Sequence, residues 1–507
     1  MSVNIITATH TGIKGVIVSV EVDITRGLPC FNIVGLGDTA VKESKERVRS
    51  AIINSGFEFP ICRITVNLAP ASIKKVGAQF DLPIAIGILA ATGQIAYDLK
   101  NNYLFIGELS LSGEIRRVSG ALPIVIEGKN NEINNFIVPM QNMNECAVVE
   151  GTNIFPFENL KQVAAFLLNL DLLPYKYENM SNQNFFNCSN FDFVDIIGQE
   201  SCKRAVEVAA AGGHNIILSG PPGSGKTMIA KRIPTILPRL NYEEALEVTK
   251  IYSVTGIVDT IDGLIYERPF RNPHHTSSSI AIVGGGRSLL PGEISLAHNG
   301  VLFLDEILEF KKNVLEVLRQ PIEDKQIKIS RANGTVNYPA SFMLVGTCNP
   351  CPCGYYGTNI KPCTCSDYER KKYIHKLSGP LLDRIDIFTY VNYVPISKYK
   401  KENIGETSLE VRKRIEDARN IQKERFIKEK FYCNAQMNQS LINKHCELDS
   451  RSMELIERIY TKFHISSRAL SRILKVSRTI ADLDGRKKIT EDDIMESWQY
   501  RKAFNEI

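Results

Sequence analysis

The chain has 507 residues, of which 44% are hydrophobic, 23% charged and 8% aromatic. At roughly 150 residues per domain the length predicts about three domains, and the apolar share excludes a mainly disordered or collagen-like protein. The net charge of +5, from 61 Lys and Arg against 56 Asp and Glu, permits a nucleic-acid partner without arguing for one, because local clusters decide such binding. No apolar run reaches about 18 residues, and the opening MSVNIITATHTG has no basic stretch leading into an apolar one. The expectation is a cytoplasmic protein without a membrane partner, whose 12 cysteines are free or metal-bound thiols.

Residues 1–168 read as a mixed α/β domain. Val16–Val22 alternates like a strand. Lys42–Ser55 is an amphipathic helix with Val41, Val48, Ala51 and Ile52 on one face. Its Lys42, Lys45, Arg47 and Arg49 interleave with Glu43 and Glu46, which reads as a solvated face. Arg63–Leu68 is a strand, Phe80–Ala91 an apolar helix, and Tyr103–Glu108 and Asn135–Pro139 are further strands. Residues 169–190 contain NMSNQNFFNCSN and read as a linker. Over 191–394 strands alternate with helices, which predicts an α/β core on a parallel sheet. Residues 395–507 are helical and charged. The bases of Glu410–Lys430 are mixed with acids, so this helix too reads as mainly solvated.

The core opens on GPPGSGKT: Gly220, Pro221, Pro222, Gly223, Ser224, Gly225, Lys226 and Thr227. It follows the apolar strand Asn215–Leu218 and starts the helix Met228–Ile233, the context that a phosphate-binding loop requires. Glycines let successive N–H groups turn toward one anion, and the helix start adds positive potential. Lys226 is expected on the β- and γ-phosphates of ATP, and the Thr227 hydroxyl on Mg²⁺. VLFLDE, Val301–Glu306, is its partner: four apolar residues make a buried parallel strand that ends in two carboxylates. Asp305 is expected in the Mg²⁺ shell and Glu306 as the general base that polarises water.

The next apolar strand, Phe342–Gly346, leads into Thr347, Cys348 and Asn349. Asn349 is placed to sense the γ-phosphate, or simply turns the chain before Pro350. In LLDRID, Leu381–Asp386, the apolar surroundings of Arg384 demand an anionic partner. That partner is either Asp383 or Asp386, or the phosphate of a neighbouring subunit. Gln326–Ile329 and Ser330–Val336 around Asn333–Gly334 predict a β-hairpin with Lys328, Arg331 and Lys325 on its face. It reads equally as a solvated hairpin. Cys351, Cys353, Cys363 and Cys365 form CPC-x9-CTC, two close thiol pairs that could hold a structural Zn²⁺, although the usual gap is two to four residues rather than one. Cys348 is left in the strand end.

Together these pieces resemble the AAA+ ATPases, and more closely the magnesium-chelatase-like family called YifB/ComM. The likeness spans nearly the whole chain. It rests on RPFRNPHHTSS (268–278), PGEISLAHNGVLFLDE (291–306), LRQPIED (318–324), NPCPCG (349–354) and SSRALSRILKVSRTIADL (466–483). It implies a P-loop AAA+ core with a C-terminal helical lid at 395–507, and a homo-hexamer assembled around ATP. By resemblance Asn349 is sensor 1, Arg384 is a trans arginine finger, and Arg468 is a sensor 2 arginine that reaches its own subunit's nucleotide. Ile197, within IIGQ (Ile196–Gln199), falls where AAA+ proteins contact adenine. Pro273–Gly286, PHHTSSSIAIVGGG, falls where such rings place pore loops. Its His274 and His275 are read as structural or nucleic-acid contacts rather than metal ligands, since no third ligand is near. MCM-like relatives use a hairpin like that at 326–336 on DNA.

GAQFDLPIAIGIL (77–89) and GELSLSGEIRRVSGALP (107–123) resemble the α+β ribosomal-S5/Lon-protease-like fold. The dyad positions fall near Ala78 or Gln79 and near Pro123, none of which can serve as nucleophile or base, so a scaffold is expected rather than a peptidase. The resemblance implies a DNA motor, a translocase or branch-migration helicase on single-stranded or branched DNA that acts in recombination or natural transformation. A chelatase-type ATPase and a protein remodeller remain as alternatives.

Overall fold

The computed structural model describes residues 2–95, 102–169, 172–177, 191–257, 263–286, 289–331, 334–358, 361–394, 405–429 and 431–505. Most of the expected linker, Asn333 of the expected turn, and Lys430 lie outside them. The chain forms two compact units: Met1–Gln183 with Tyr242–Tyr266, and Asn184–Asn241 with Glu267–Ile507. No described helix is long and apolar enough to cross a membrane.

The first unit is built on seven strands: β1 (Ser2–Thr11), β2 (Lys14–Thr25), β3 (Cys30–Val34), β4 (Arg63–Ala69), β5 (Tyr103–Phe105), β6 (Asn135–Pro139) and β7 (Asn153–Phe157). They lie in the order β3-β4-β2-β1-β5-β6-β7. The sheet is antiparallel from β4 through β2 to β1 and parallel from β1 to β7. The sequence reading missed β1. Its inward positions include Thr7 and Thr9, which hide the apolar alternation. Both are buried because they find partners: the Thr7 hydroxyl donates to the Phe105 carbonyl at 2.7 Å, and Gln79 Nε2 donates to the Thr9 hydroxyl at 3.2 Å.

The helix Thr39–Asn54 buries Val41, Val48, Ala51 and Ile52, as its periodicity predicts. Arg47 corrects the reading of that helix's basic residues as solvated. Its Nε lies 2.7 Å from Oδ2 of Asp81, a fully buried carboxylate that starts the apolar helix Asp81–Ala91. The Ser44 hydroxyl donates to the same group. A buried carboxylate needs a charged donor, and Arg47 supplies it.

Residues 242–266, inside the expected core at 191–394, pack with the first unit. The helix Tyr242–Thr255 buries Ala245, Val248, Ile251 and Val254 there. Gly120 N–H donates to the Ser253 carbonyl at 2.9 Å, and the Tyr242 hydroxyl donates to the Val148 carbonyl at 3.0 Å.

The second unit contains a wholly parallel sheet of β8 (Ile216–Ser219), β9 (Phe270–Arg271), β10 (Val301–Leu304), β13 (Met343–Cys348) and β14 (Ile387–Tyr390), in the order β9-β10-β13-β8-β14. Between β10 and β13 the chain makes a separate hairpin, β11 (Gln326–Arg331) with β12 (Gly334–Pro339). The β8 and β10 residues are all buried, as expected of a sheet covered on both faces. Helices Ser408–Arg425, Ser450–Phe463, Ser467–Leu483 and Glu491–Asn505 follow. The bases of the first of these are largely structural, which corrects the solvated reading. Arg412 donates to the Thr235 carbonyl, Arg414 pairs with Glu207 at 2.6 Å, and Arg425 pairs with the buried Asp482 at 2.5 Å.

One buried carboxylate ties the sheet to the last helices. Asp386 accepts from the Asn215 amide at 3.0 Å and from Arg472 Nη1, on helix Ser467–Leu483, at 2.9 Å. Asn215 in turn donates its side-chain amide to the Arg384 carbonyl and accepts from the Leu344 amide. Burial alone would raise the Asp386 carboxyl. The Arg472 charge, with the nearby His214 ring at 3.6 Å and the hydrogen bond from the Asn215 amide, more than offsets this and holds it far below its ordinary value of 3.8. His214 is itself buried and pushed below its usual range, so Arg472 carries the neutralising charge. A depressed native value means that this carboxylate's stabilisation is complete above about pH 4 and is lost as pH falls below it. Asp386→Asn should destabilise the protein by about 3–5 kcal/mol, because it leaves Arg472 uncompensated. It should also flatten the loss of thermal midpoint between about pH 5 and about pH 3, measured by calorimetry.

Candidate nucleotide-binding site

The ladder register brings the predicted residues together. Leu304 lies opposite Gly346 and Ser219 opposite Cys348, so β8, β10 and β13 end on one line. Asp305, Asn349 and the 220–227 loop follow those ends, and Thr347 lies in β13 one residue before its end, at the edge where parallel sheets bind ligands. Gly225 sits at φ +93°, in the left-handed region, and delivers Lys226 as the first residue of the helix Lys226–Ile236.

Lys226 Nζ donates to the Gly220 carbonyl at 2.7 Å, the Pro221 carbonyl at 2.9 Å and Asn349 Oδ1 at 3.1 Å. The predicted phosphate lysine and the predicted sensor are thus in contact. Burial lowers the Lys226 ammonium below its ordinary value, against the charges of Asp305 and Glu306. The Thr227 hydroxyl lies 3.1 Å and 3.2 Å from the two Asp305 oxygens. A hydroxyl and a carboxylate at one point are a donor set suited to Mg²⁺, a hard cation. Thr347 was named in the sequence without a role. Its hydroxyl donates to Asp305 Oδ1 at 2.5 Å and accepts from the Glu306 amide at 2.9 Å, so it orients both carboxylate-bearing residues. Glu306 is left-handed at φ +50°, a strained backbone that turns its side chain out of the strand path.

Two cavities flank the site. One of about 350 Å³ is lined by Ser219, Cys348, Asn349, Tyr356, Tyr390 and Asn392. Another of about 260 Å³ is lined by Gln199, Cys202, Tyr390 and Tyr393 among others. Ile196 is buried in the core. Ile197, the expected adenine contact, is half-buried, and Gln199 rather than Ile197 lines the second cavity.

The two predicted arginines come together elsewhere. Arg384 pairs with Glu323, not with Asp383 or Asp386. Arg468, at the start of helix Ser467–Leu483, is 62% exposed and lies 4.0 Å from the same Glu323. The two arginines thus face the two oxygens of one carboxylate. Glu323 was missed, and no local pattern marks it beyond its place in LRQPIED.

Sγ atoms of Cys351, Cys353, Cys363 and Cys365 all lie within 4.8 Å of one another. Cys351 is 3.3 Å from Cys353 and 3.7 Å from Cys363. The Tyr356 amide donates to the Cys351 sulfur and the Cys353 amide to the Cys365 sulfur, both at 3.3 Å. This loop abuts the phosphate loop: a Cβ on Gly354 would stand 2.6 Å from Cδ of Pro222. Cys348 stays apart at the strand end, its thiol pushed up to about 11 by burial. No other group of three or more His, Cys, Asp or Glu converges so among the described residues. The rings of His274 and His275 touch, tilted by 35° with centroids 4.1 Å apart, and His274 Nδ1 bonds the Thr276 hydroxyl.

The site and the sheet around it define a P-loop protein of the AAA+ class. Family descriptions agree: "Magnesium chelatase, subunit ChlI" matches residues 192–399, "Subunit ChlI of Mg-chelatase" residues 20–142, and "Magnesium chelatase, subunit ChlI C-terminal" residues 405–501. The chain is 42% identical to competence protein ComM of Haemophilus influenzae, over 97% of this chain and 95% of that one. It is also 42% identical to YifB of Escherichia coli, over 99% and 97%. The magnesium-chelatase 38 kDa subunit of Cereibacter sphaeroides is 25% identical over 32% of this chain and 53% of its own. The chain belongs to the YifB/ComM family of magnesium-chelatase-like AAA+ proteins, a family of the ATPase type that implies ATP and Mg²⁺ as its ligands.

Lys226→Ala should abolish ATP binding, read by a fluorescent nucleotide. Glu306→Gln should keep binding and slow turnover about 10²- to 10⁴-fold, the usual contribution of a general base.

Proposed function

We propose that the chain is an ATP-hydrolysing DNA motor, a cytoplasmic homo-hexamer that moves single-stranded or branched DNA during recombination or the integration of incoming strands. Lys226 and the 220–227 amides bind the phosphates. Mg²⁺ held by Thr227 and Asp305 would neutralise phosphate charge. Glu306 accepts the proton of the attacking water, Asn349 orients that water, and Arg384 and Arg468 respond to nucleotide at a subunit boundary.

The DNA reading rests on two touching elements of the second unit. The β11–β12 hairpin buries Ile327, Ile329, Val336 and Tyr338 on one face and exposes Lys328, and Arg331 is exposed at its strand end. Lys325 is not part of this face. It is half-buried at φ +54°, where the preceding helix ends. The Tyr338 hydroxyl donates to the Leu289 carbonyl at 2.9 Å. A Cβ on Gly285 would stand 3.7 Å from Arg331 and 3.8 Å from Ile329. Segment 273–286 thus runs beside the basic hairpin. Within it Ser279–Val283 forms a short helix capped by Ser278. The name of the Haemophilus relative, a competence protein, fits a DNA substrate. A chelatase-type role is supported by the family descriptions, but the 38 kDa chelatase subunit matches only 32% of this chain, against 97% for the competence protein.

The mixed sheet of the first unit supports the Lon-like reading. Gln79 is held by Thr9 and the Val76 carbonyl, and Pro123 is buried in the helix Ala121–Asn130, which suits a scaffold. The four thiols fit a structural Zn²⁺, since tetrahedral Zn–S bonds of about 2.3 Å put sulfurs about 3.8 Å apart, and two amides stabilise thiolates there.

ATPase rate should rise on adding single-stranded or branched DNA, and the rise should shrink steeply with salt. A rate that responds to no DNA while remaining dependent on Lys226 would end the DNA reading; stimulation by unfolded protein or a chelatase partner would replace it. Purified protein should carry about one zinc per chain by elemental analysis, and the double variant Cys363→Ser, Cys365→Ser should lose it. Unchanged metal content in that variant would refute the assignment.

A further inference from the structure

The Arg384 side chain is only 9% exposed. Its backbone is fixed: the carbonyl accepts from Asn215 Nδ2 at 3.0 Å, and the next two residues are tied to the second unit through Arg501 and Arg472. What the backbone does not fix is the end of the side chain. That end is held by the Pro380 carbonyl on Nη1 and by Glu323 Oε2 on Nη2. Its buried Nε finds no hydrogen-bond partner among the described residues, which marks an arrangement that another acceptor would improve. The second Glu323 oxygen faces Arg468 at 4.0 Å. One carboxylate therefore gives one oxygen to each arginine.

Burial opposes the charge on Glu323, but Arg384, with Arg468 and Arg472 behind it, holds the carboxyl below its usual range. Glu323 itself is 46% exposed, so a competing anion can reach this cluster from solvent. It lies on the helix Arg319–Asp324, and the next helix-free residue, Lys325, is the foot of the β11–β12 hairpin, closed by the Ala340 amide on the Lys325 carbonyl at 2.8 Å.

We propose that Glu323 is a latch that holds the Arg384 guanidinium, with Arg468 beside it, away from the nucleotide of a second copy of this chain. The inference rests on the reading of Arg384 as a residue that acts across a subunit boundary. A γ-phosphate is a stronger bidentate acceptor for a guanidinium than a half-exposed carboxylate, so a neighbour's ATP displaces Glu323. Displacement of the hairpin foot withdraws Glu323 from the other side. Glu323 is a positioning residue and touches no reacting atom.

The test is DNA-free ATPase rate against protein concentration for wild type, Glu323→Gln, Glu323→Asp and Arg384→Ala. Glu323→Gln keeps the shape and removes the charge. It should raise the rate per subunit at low protein concentration about three-fold, the effect of losing one half-exposed ion pair, and should lower the concentration at half-maximal rate. Glu323→Asp should stay close to wild type. DNA should stimulate Glu323→Gln by a smaller factor than wild type. A Glu323→Gln rate equal to or below wild type, with Arg384→Ala inactive, overturns the latch and leaves the finger intact; Glu323 would then merely place Arg384 for catalysis. An Arg384→Ala protein as active as wild type overturns the finger reading and the latch with it.

Discussion

β8, β10 and β13 run parallel, with Leu304 opposite Gly346 and Ser219 opposite Cys348, and the chemistry of this protein depends on that register. In a parallel ladder every strand delivers its C-terminal side chains to the same edge. Thr227, Asp305 and Thr347 come from three separate stretches of chain, yet they form one hydrogen-bonded group, and Asn349 bonds Lys226, the residue next to Thr227. A one-residue slip of β10 against β13 would send Asp305 to the other face and part it from Thr347. The fully buried apolar residues of β8 and β10 make such a slip costly, so the core itself sets the site's accuracy.

A second constraint comes from charge in the interior. Asp386 is 1% exposed and bonded to Arg472, on the far helical segment, and to Asn215 at the base of β8. Asn215 also holds the Arg384 carbonyl. The backbone that presents Arg384 is therefore registered against both the sheet and the last helices.

What was legible in the sequence is what covalent spacing encodes. GPPGSGKT, the strand ending in Asp305–Glu306 and the four close cysteines all appear where neighbouring residues act together. Val41, Val48, Ala51 and Ile52 were readable because helical period maps directly onto burial. Glu323 was not, because its partners lie 61 and 145 positions along the chain and only the fold brings them near. Arg47 and Arg425 were misread for the same reason: a basic residue looks alike on paper whether it faces water or a buried carboxylate. Thr7 and Thr9 made β1 look polar, although hydrogen bonds let both sit inside.

The helix Tyr242–Thr255 leaves the second unit's sequence, joins the first unit, and the chain then returns. The polypeptide thus passes between the units three times: once near 183, once at 241 and once at 266. A single protease cut near residue 183 would not yield two independent fragments, because the excised C-terminal piece still carries a helix whose apolar side is built to lie in the other unit. Expression of the P-loop region alone would bring that side into water and invite aggregation. A truncation that keeps residues 242–266 with the second unit therefore removes part of the first unit's core and leaves an apolar helix uncovered on the fragment that retains it.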